Sequence, residues 1–246
     1  MNRMLMPLLS TALASLTAMS ISGCEDDLLT YEAGDIRIHV AEGSEWLHDY
    51  DLFLGLSKKN APQMAIWIED EDGGYLSTVY VTHKAATQDW IADEDERREE
   101  ALPHWCHQRG VMYDDGLYMP TRNRPLLDGI SGATPRESFD VKLKTKKSLS
   151  KLIVKVEVNH STDFNRSYPK DAHRGDDNYS GGRHGSGQPA VVYAAEVDMT
   201  LDQREFEAKI IGHSSPDGSD GKIYEDITGL TTALNIVDHI TISIEK

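Results

Sequence analysis

The sequence predicts an all-β protein, mainly an antiparallel β-sandwich of the immunoglobulin-like kind, with one short surface helix. Three observations support this fold class. Eight segments alternate apolar and polar residues with a period of two, which is typical of strands that bury one face. Turn residues such as Asp72, Gly73 and Gly74 separate neighbouring segments. Only one stretch has the composition of a helix, and two sheets around a single core are the economical arrangement for so many strands.

The predicted strands each carry an apolar row on one face. In 77–83, Val79 and Val81 share the apolar face. In 152–159 a row of valines opposes Lys155 and Glu157, so we expect these two charged side chains to face water. The eight segments are 35–40, 64–70, 77–83, 138–144, 152–159, 190–199, 205–213 and 239–245.

One helix is predicted over residues 87–102. Thr87 can cap its start, and good helix formers follow. The stretch carries seven acidic residues, while Trp90, Ile91 and Leu102 provide an apolar side that can rest on the sandwich. We expect a solvated surface helix, with an acidic docking face as the alternative.

The N-terminus is typical of an export signal. Residues 1–23 combine a basic Arg3 with an apolar stretch diluted by small and hydroxyl residues. The segment ends at Gly23 before Cys24, a pattern that resembles a bacterial lipobox. The resemblance implies that Cys24 becomes the lipid-modified first residue of the mature chain, and the alternative is an ordinary signal peptide. We therefore expect an exported protein, lipid-anchored to a bacterial membrane at its periplasmic face or at the cell surface.

Length and charge define the rest of the organisation. Residues 24–34 form an acidic tether, and 35–246 suit a single β-sandwich domain. The formal net charge of −16 argues against nucleic-acid binding and favours cations or basic partners. With Cys24 lipidated, Cys106 is the only other cysteine, so no intramolecular disulfide is expected.

A long loop spans residues 159–189 and is rich in Asn, Asp, Gly, His, Arg and Ser. Loops of this length in compact domains are usually either functional or disordered. We refer to residues 159–189 as the long loop, and the sequence leaves both of these readings open.

The segment that precedes the strand 138–144 contains a possible attachment site. It has the pattern D-x-x-(S/T)-G-A-T, which resembles the acceptor motif for covalent flavin attachment. The resemblance implies that a flavin transferase joins the phosphate of FMN to the hydroxyl of Thr134. The alternative is a tight turn, in which Asp and Ser side chains bond the backbone and glycine supplies the required φ. The motif residues are Asp128, Ser131, Gly132, Ala133 and Thr134.

Several separated blocks in 62–245 resemble a family of predicted periplasmic or secreted bacterial proteins of unknown function. They include MAIWIEDEDGGYLSTVYVTHKAATQDW, ALPHWCHQRG, PLLDGISGATP, VEVNHSTDFN, SGQPAVVYAAEVD and GLTTALNIVDHI. In that family the S/T-G-A-T-P element belongs to the family pattern. The resemblance therefore explains why Pro135 directly follows Thr134 without any need for attached flavin. Such families occur near flavin transferases, and the resemblance implies no established catalytic residue.

Metal and nucleophile candidates are weaker. Calcium takes six to eight oxygen ligands from loops of this composition, and the candidates are Asp163, Asn165, Asp217 and Asp220. Their spacing departs from the EF-hand register, and Asp-Gly pairs are also ordinary turn residues. Cys106 lies beside two histidines, but a lone cysteine next to a tryptophan is more often buried and inert.

These observations predict a lipid-anchored periplasmic or cell-surface accessory protein that binds a protein partner and has no enzymatic activity of its own. The first alternative is an extracytoplasmic electron-transfer protein with FMN on Thr134, which would require a flavin transferase as a partner. The second alternative is a calcium-dependent binding module. The sequence supports no cofactor firmly, and FMN and calcium are the two possibilities that it raises.

Overall fold

The structure is a computed structural model that describes residues 32–51, 57–88, 90, 97–126, 130–132, 134–144 and 149–246. The signal segment 1–23, the lipidation candidate Cys24 and most of the tether lie outside the described residues. So do Asp128 and Ala133 of the attachment motif.

Two mainly antiparallel sheets form the sandwich, which confirms the predicted fold class. The four-stranded sheet has the order β10 (Glu205–Glu207), β12 (Val237–Ile244), β1 (Ile36–Glu42) and β7 (Phe139–Leu143). The six-stranded sheet has the order β11 (Lys209–His213), β9 (Val191–Asp198), β8 (Lys151–Asn159), β4 (Gln63–Glu69), β5 (Tyr75–Thr82) and β6 (Ile130–Gly132). Its edge pair β5–β6 is parallel. A separate hairpin pairs β2 (His48–Asp51) with β3 (Ser57–Asn60).

The main core lies between the two sheets and uses the predicted apolar rows. Strand β1 contributes Ile36, Ile38 and Val40, all without solvent exposure. These side chains meet the valine row of β8 and the isoleucine row of β12 in one cluster. Each such side chain stabilises the fold by roughly 1.5–3 kcal/mol on burial, so the alternation observed in the sequence locates the core.

A β-bulge corrects the predicted face of β5. The register between β4 and β5 shifts after Tyr80, and Val79 is the unpaired residue. As a result Tyr80 joins the main core beside Val79, while Val81 points to the opposite face. The prediction that Val79 and Val81 share a face is therefore wrong, because one extra residue reverses the alternation.

A covering layer packs on the outer face of the six-stranded sheet. It consists of α1 (His83–Thr87), α2 (Pro103–Gln108) and residues 97–126. A second apolar cluster lies under it, with Trp67 of β4 and Trp105 of α2 both fully buried. Because of this layer, the sheet is buried on both faces over much of its width.

The predicted helix 87–102 is wrong in its position. Thr87 is the last residue of α1, and its hydroxyl donates to the carbonyl of His83 rather than capping a new helix. Gln88 adopts a left-handed conformation with φ 57°, which ends α1. The described residues 97–102 are turns and bends, and the preceding segment 91–96 lies outside the described residues. Pro103 starts α2 and disfavours helical backbone at the residue before it.

Candidate functional site

The long loop is a packed structure whose two ends pair with each other. The backbone N–H groups of Thr162 and Asp163 donate to the carbonyls of Gly185 and Ser186, each at 2.8 Å. The N–H of Gln188 donates to the carbonyl of Asp163 at 2.9 Å. Six polar residues of the loop are buried: Asn159, His160, Asp163, Ser180, Ser186 and Gln188. The long loop is therefore ordered, although its polar composition is also typical of disordered segments.

Glycine is needed in this loop where backbone packs closely. Gly187 has φ +81°, and a Cβ at this position would lie 2.4 Å from the backbone of Asp163. Gly181 has φ +89°, and its Cβ would lie 2.5 Å from the carboxyl group of Glu100. A side chain fits at neither position. At these two positions the glycines mark close packing rather than a flexible linker.

Asn159, the last residue of β8, ties the long loop to segment 97–102. Its side-chain nitrogen donates to the carbonyls of Glu100 at 3.1 Å and Ala101 at 2.9 Å. The same amide donates to Oγ of Ser186 at 2.7 Å. Segment 97–102 and the long loop are therefore held together at one end of the six-stranded sheet.

A small polar cleft, here called the arginine cleft, lies between these two segments and the turn at Asp217. Its volume of about 60 Å³ accommodates a functional group or a few waters and is far below that of a typical cofactor site. It is lined by Arg97, Arg98, Glu99, Glu100, Arg174, Tyr179, Gly181, His184 and Asp217.

Arg98 lines the arginine cleft with a side chain that is only 10% exposed. Its Nε donates to Oε1 of Glu100 at 2.9 Å, and its Nη1 donates to Oγ of Ser161 at 2.7 Å. The guanidinium carbon lies 4.9 Å from the centroid of the Trp90 ring, a cation–π distance. Its Nη2 is buried without a hydrogen-bond partner among the described residues. Buried donors are rarely left unpaired, so this nitrogen is a candidate contact for a ligand.

The other charged groups of the arginine cleft give it a balanced charge. Arg97 donates to the carbonyl of Met119 at 2.9 Å and also pairs with Asp115. Burial raises the pKa of the Glu99 carboxyl, although the positive charge of Arg174 opposes this effect. Three arginines and three carboxylates line the cleft, so it lacks a strong excess of positive charge.

Glu157 holds the covering layer on the sheet and corrects the prediction that it faces water. It is fully buried, and its two oxygens accept the backbone N–H groups of Trp105 at 2.7 Å and His104 at 3.2 Å. These N–H groups belong to the first turn of α2 and have no partner within the helix. Burial raises the pKa of Glu157 to about 7, although hydrogen bonds from Trp105, Ser214 and His104 act to lower it.

Lys155 is the second residue predicted to face water, and under the covering layer its side chain is only 13% exposed. Its Nζ lies 3.0 Å from Oε2 of Glu69 and 3.2 Å from Nε2 of His104. Oε1 of Glu69 accepts the indole N–H of Trp67 at 2.8 Å. Nδ1 of His104 donates to the carbonyl of Gly221 at 2.7 Å, and burial lowers the pKa of His104 to about 4. This polar network positions α2, and with it the segment that carries Arg98.

The metal candidates of the long loop are held by protein hydrogen bonds. Oδ1 of Asp163 accepts the hydroxyl of Thr232 at 2.6 Å, while its Oδ2 is buried and unpaired among the described residues. The amide nitrogen of Asn165 donates to the carbonyl of Gly229 at 2.9 Å. Both side chains therefore serve to fasten the loop to residues 229–232.

The other two metal candidates share one turn. Asp217 accepts the hydroxyl of Ser215 at 2.6 Å, and Asp220 accepts the hydroxyl of Tyr224 at 3.1 Å. Both carboxylates also accept a backbone N–H two residues further on, as turn residues commonly do. No group of three or more His, Cys, Asp or Glu side chains placed to hold a metal ion occurs in the described part of the chain. Calcium binding stays a prediction.

The attachment motif lies where the chain crosses between the two sheets. Ser131 and Gly132 belong to the edge strand β6, and Thr134 follows it in a half-buried position before β7. The carbonyl of Pro135 accepts the indole N–H of Trp46 at 3.2 Å, which anchors the chain at the crossing. Flavin attachment at Thr134 stays a prediction.

The thiol of Cys106 is buried under the covering layer. Burial raises the pKa of this thiol, despite the positive charge of Arg109 nearby. A protonated thiol is a poor nucleophile, so Cys106 has the character of a core residue, as its position next to Trp105 indicates.

Comparisons with protein-family models, curated proteins and solved structures found no match to this chain. The resemblance to periplasmic proteins drawn from the sequence blocks therefore stays a prediction. Within the described residues, no helix is both long and apolar enough to cross a bilayer.

Sequence reasoning missed Arg98 and Glu157. Arg98 stands in a charged run that has the composition of a solvated helix, and nothing local distinguishes it from Arg97. Glu157 stands on the polar side of an alternating strand. The one available signal was the length of the long loop, which sets this end of the molecule apart from the other connections between strands.

Proposed function

We propose that this protein is a lipid-anchored extracytoplasmic binding protein without enzymatic activity of its own, and that it binds its partner through the arginine cleft and the long loop. The observation that carries the proposal is the buried guanidinium of Arg98. Glu100, Ser161 and Trp90 hold it in place, and one of its nitrogens has no partner among the described residues. A group that is already immobilised loses little entropy on binding.

The proposed anchor is the lipid on Cys24. The acidic tether that follows is repelled by anionic lipid headgroups, so it keeps the sandwich domain away from the membrane surface. The loops at one end of a rigid sandwich are then free to meet a protein partner, which is where binding residues of such scaffolds are usually found.

The binding surface is tested by photo-crosslinking in the source bacterium. A photo-reactive amino acid replaces Arg183, which is exposed on the long loop, or Glu207, which is exposed on β10 of the other sheet. We expect a discrete adduct with a partner from position 183 and none from position 207. Equal adducts from both positions, or none from position 183, would contradict the proposed surface. In the same cells, Cys24→Ser should release the protein from the membrane fraction and Cys106→Ser should not.

A second candidate is an extracytoplasmic electron carrier with FMN joined to Thr134 by a flavin transferase. The favourable observation is the position of Thr134, half-buried immediately after an edge strand, where an enzyme can reach the sheet margin. The bound flavin would supply electron transfer. This chain would present the hydroxyl of Thr134 next to the point where Pro135 and Trp46 anchor the backbone.

Intact mass spectrometry tests the flavin candidate. The protein is co-produced with a flavin transferase, and its expected mass gain is one FMN minus one water. Thr134→Ala should abolish the gain, while Thr134→Ser keeps a hydroxyl and should retain it. An unmodified wild-type protein, produced beside a substrate that the same transferase does modify, would reject this candidate.

A further inference from the structure

We propose that the arginine cleft binds a carboxylate group, which is held by the guanidinium of Arg98. This inference rests on the proposed binding function and specifies its ligand. It follows from the hydrogen bonding, charge and size of the cleft.

Within the described part of the chain, Arg98 carries one unpaired hydrogen-bond donor. Nε and Nη1 of Arg98 are occupied by Glu100 and Ser161, but Nη2 is buried and lacks a partner among the described residues. A buried N–H without an acceptor has lost its hydrogen bond to water without replacing it, which destabilises the unliganded protein. An anionic oxygen that reaches Nη2 would remove this cost and form a charge-assisted hydrogen bond.

The neighbours of Arg98 hold its guanidinium plane in one orientation. The Trp90 ring lies 4.9 Å from the guanidinium carbon, and Ser161 and Glu100 fix two of the three nitrogens. Planar recognition of oxygen anions depends on such an orientation. The residues at the rim are freer, since Arg174 and His184 are both exposed, so the opening can adjust to a ligand.

The charge of the cleft and of the whole chain favours a singly charged oxygen anion over phosphate. The three arginines of the cleft are balanced by Glu99, Glu100 and Asp217. The chain as a whole carries a net charge of −16, which repels multiply charged anions approaching from solution. A volume of about 60 Å³ also matches one small planar group. A carboxylate is singly charged, small and planar, so it fits the charge and the size of the cleft.

Two sources can present this group: the C-terminus of a peptide or a small free carboxylic acid. The test titrates the full lipid-bearing chain, in detergent, with N-acetyl-alanyl-alanine, its C-terminal amide, acetate and inorganic phosphate, followed by NMR. We expect the free acid to bind at least tenfold more tightly than the amide and more tightly than phosphate. Binding of the dipeptide acid more tightly than acetate would indicate a peptide C-terminus, and equal binding would indicate a free acid.

The matched variants are Arg98→Lys and Arg124→Lys. Lysine keeps the charge at position 98 but loses the planar set of donors, so carboxylate affinity should fall at least tenfold. Arg124 is exposed and pairs with Asp114 away from the cleft, so its variant should bind normally. If Arg98→Lys does not fold, Ser161→Ala removes only the contact to Nη1 and should weaken binding about threefold or more.

Equal binding of acid and amide, tighter binding of phosphate, or unchanged affinity in the variant of Arg98 that folds would overturn the carboxylate inference. The crosslinking experiment reports on the binding function separately. An adduct at position 183 without carboxylate binding would reject the ligand and leave the binding surface in place. Carboxylate binding without an adduct would reject the protein partner and leave the ligand in place.

Discussion

Replacing Glu157 with alanine is expected to lower the free energy of unfolding by about 3–5 kcal/mol. Two buried backbone N–H groups, those of His104 and Trp105, would lose their acceptors, at about 1–3 kcal/mol each. The missing side chain would also leave a cavity between β8 and α2. The covering layer depends on this contact, so the arginine cleft should be disturbed as well.

The free energy of unfolding lost on replacing Glu157 with alanine should be larger at pH 5 than at pH 8. The pKa of Glu157 is raised to about 7 in the folded protein, above its ordinary value of 4.5. Its contribution to stability is therefore fully present below pH 4.5 and is lost as the pH rises through 7. Urea unfolding followed by tryptophan fluorescence measures the effect.

Glu196→Ala is the matched control, because Glu196 is exposed on the neighbouring strand β9. This variant should change the free energy of unfolding by less than about 0.5 kcal/mol. Similar losses for the two variants would show that Glu157 does not hold the covering layer.

Acidification from pH 7 to pH 4 is expected to destabilise the protein, mainly through His104 and His160. Burial lowers the pKa of each imidazole to about 4 from an ordinary value of 6.5. Because the folded pKa is the lower one, the stabilisation is present above pH 6.5 and is lost as the pH falls toward 4. Each histidine accounts for about 3 kcal/mol. Glu157 acts in the opposite direction by a similar amount, so the net loss from these three groups is about 3 kcal/mol.

The variant His160→Gln tests this account. Nε2 of His160 donates to the carbonyl of Glu45 at 2.9 Å, and glutamine can place an amide donor there without titrating. The ring also lies 5.3 Å from that of His48, and electrostatic repulsion between the two imidazoles helps to lower the pKa of His160. We expect the stability lost between pH 7 and pH 4 to shrink by about 3 kcal/mol in this variant.

His184→Gln is the control for the acid experiment, since His184 is exposed in the long loop. Its pH–stability curve should follow that of the wild type. A His160→Gln variant with the same acid sensitivity as the wild type would show that this histidine does not carry the effect.

The strand prediction succeeded where a local rule was enough. The apolar rows of β1, β8 and β12 all meet in the main core, because alternation within a strand decides which side chains share a face. The rule failed at Val79, where a bulge adds one residue to β5. A bulge depends on the partner strand, and residues 77–83 alone give no sign of it.

The helix prediction failed because local composition was overruled by distant contacts. The side chain of Gln88 accepts the indole N–H of Trp90 and the backbone N–H of Arg98. These bonds bring Gln88 next to Arg98, ten residues further on, whereas the two ends of a ten-residue helical segment would lie well apart. Helix propensity is a weak preference that such tertiary contacts readily outweigh.

By itself, the sequence determined the sandwich class, the inward rows of most of its strands and the position of the long loop, because all three follow from neighbours along the chain. Only the tertiary structure decided that Lys155 and Glu157 lie under a second layer and that Arg98 lines a cleft. Alternation shows that a polar row points away from one core, but it cannot show what covers that row. The cover comes from segments far away in the chain, so the burial, the shifted pKa values and the unpaired guanidinium nitrogen arise only once the chain is folded.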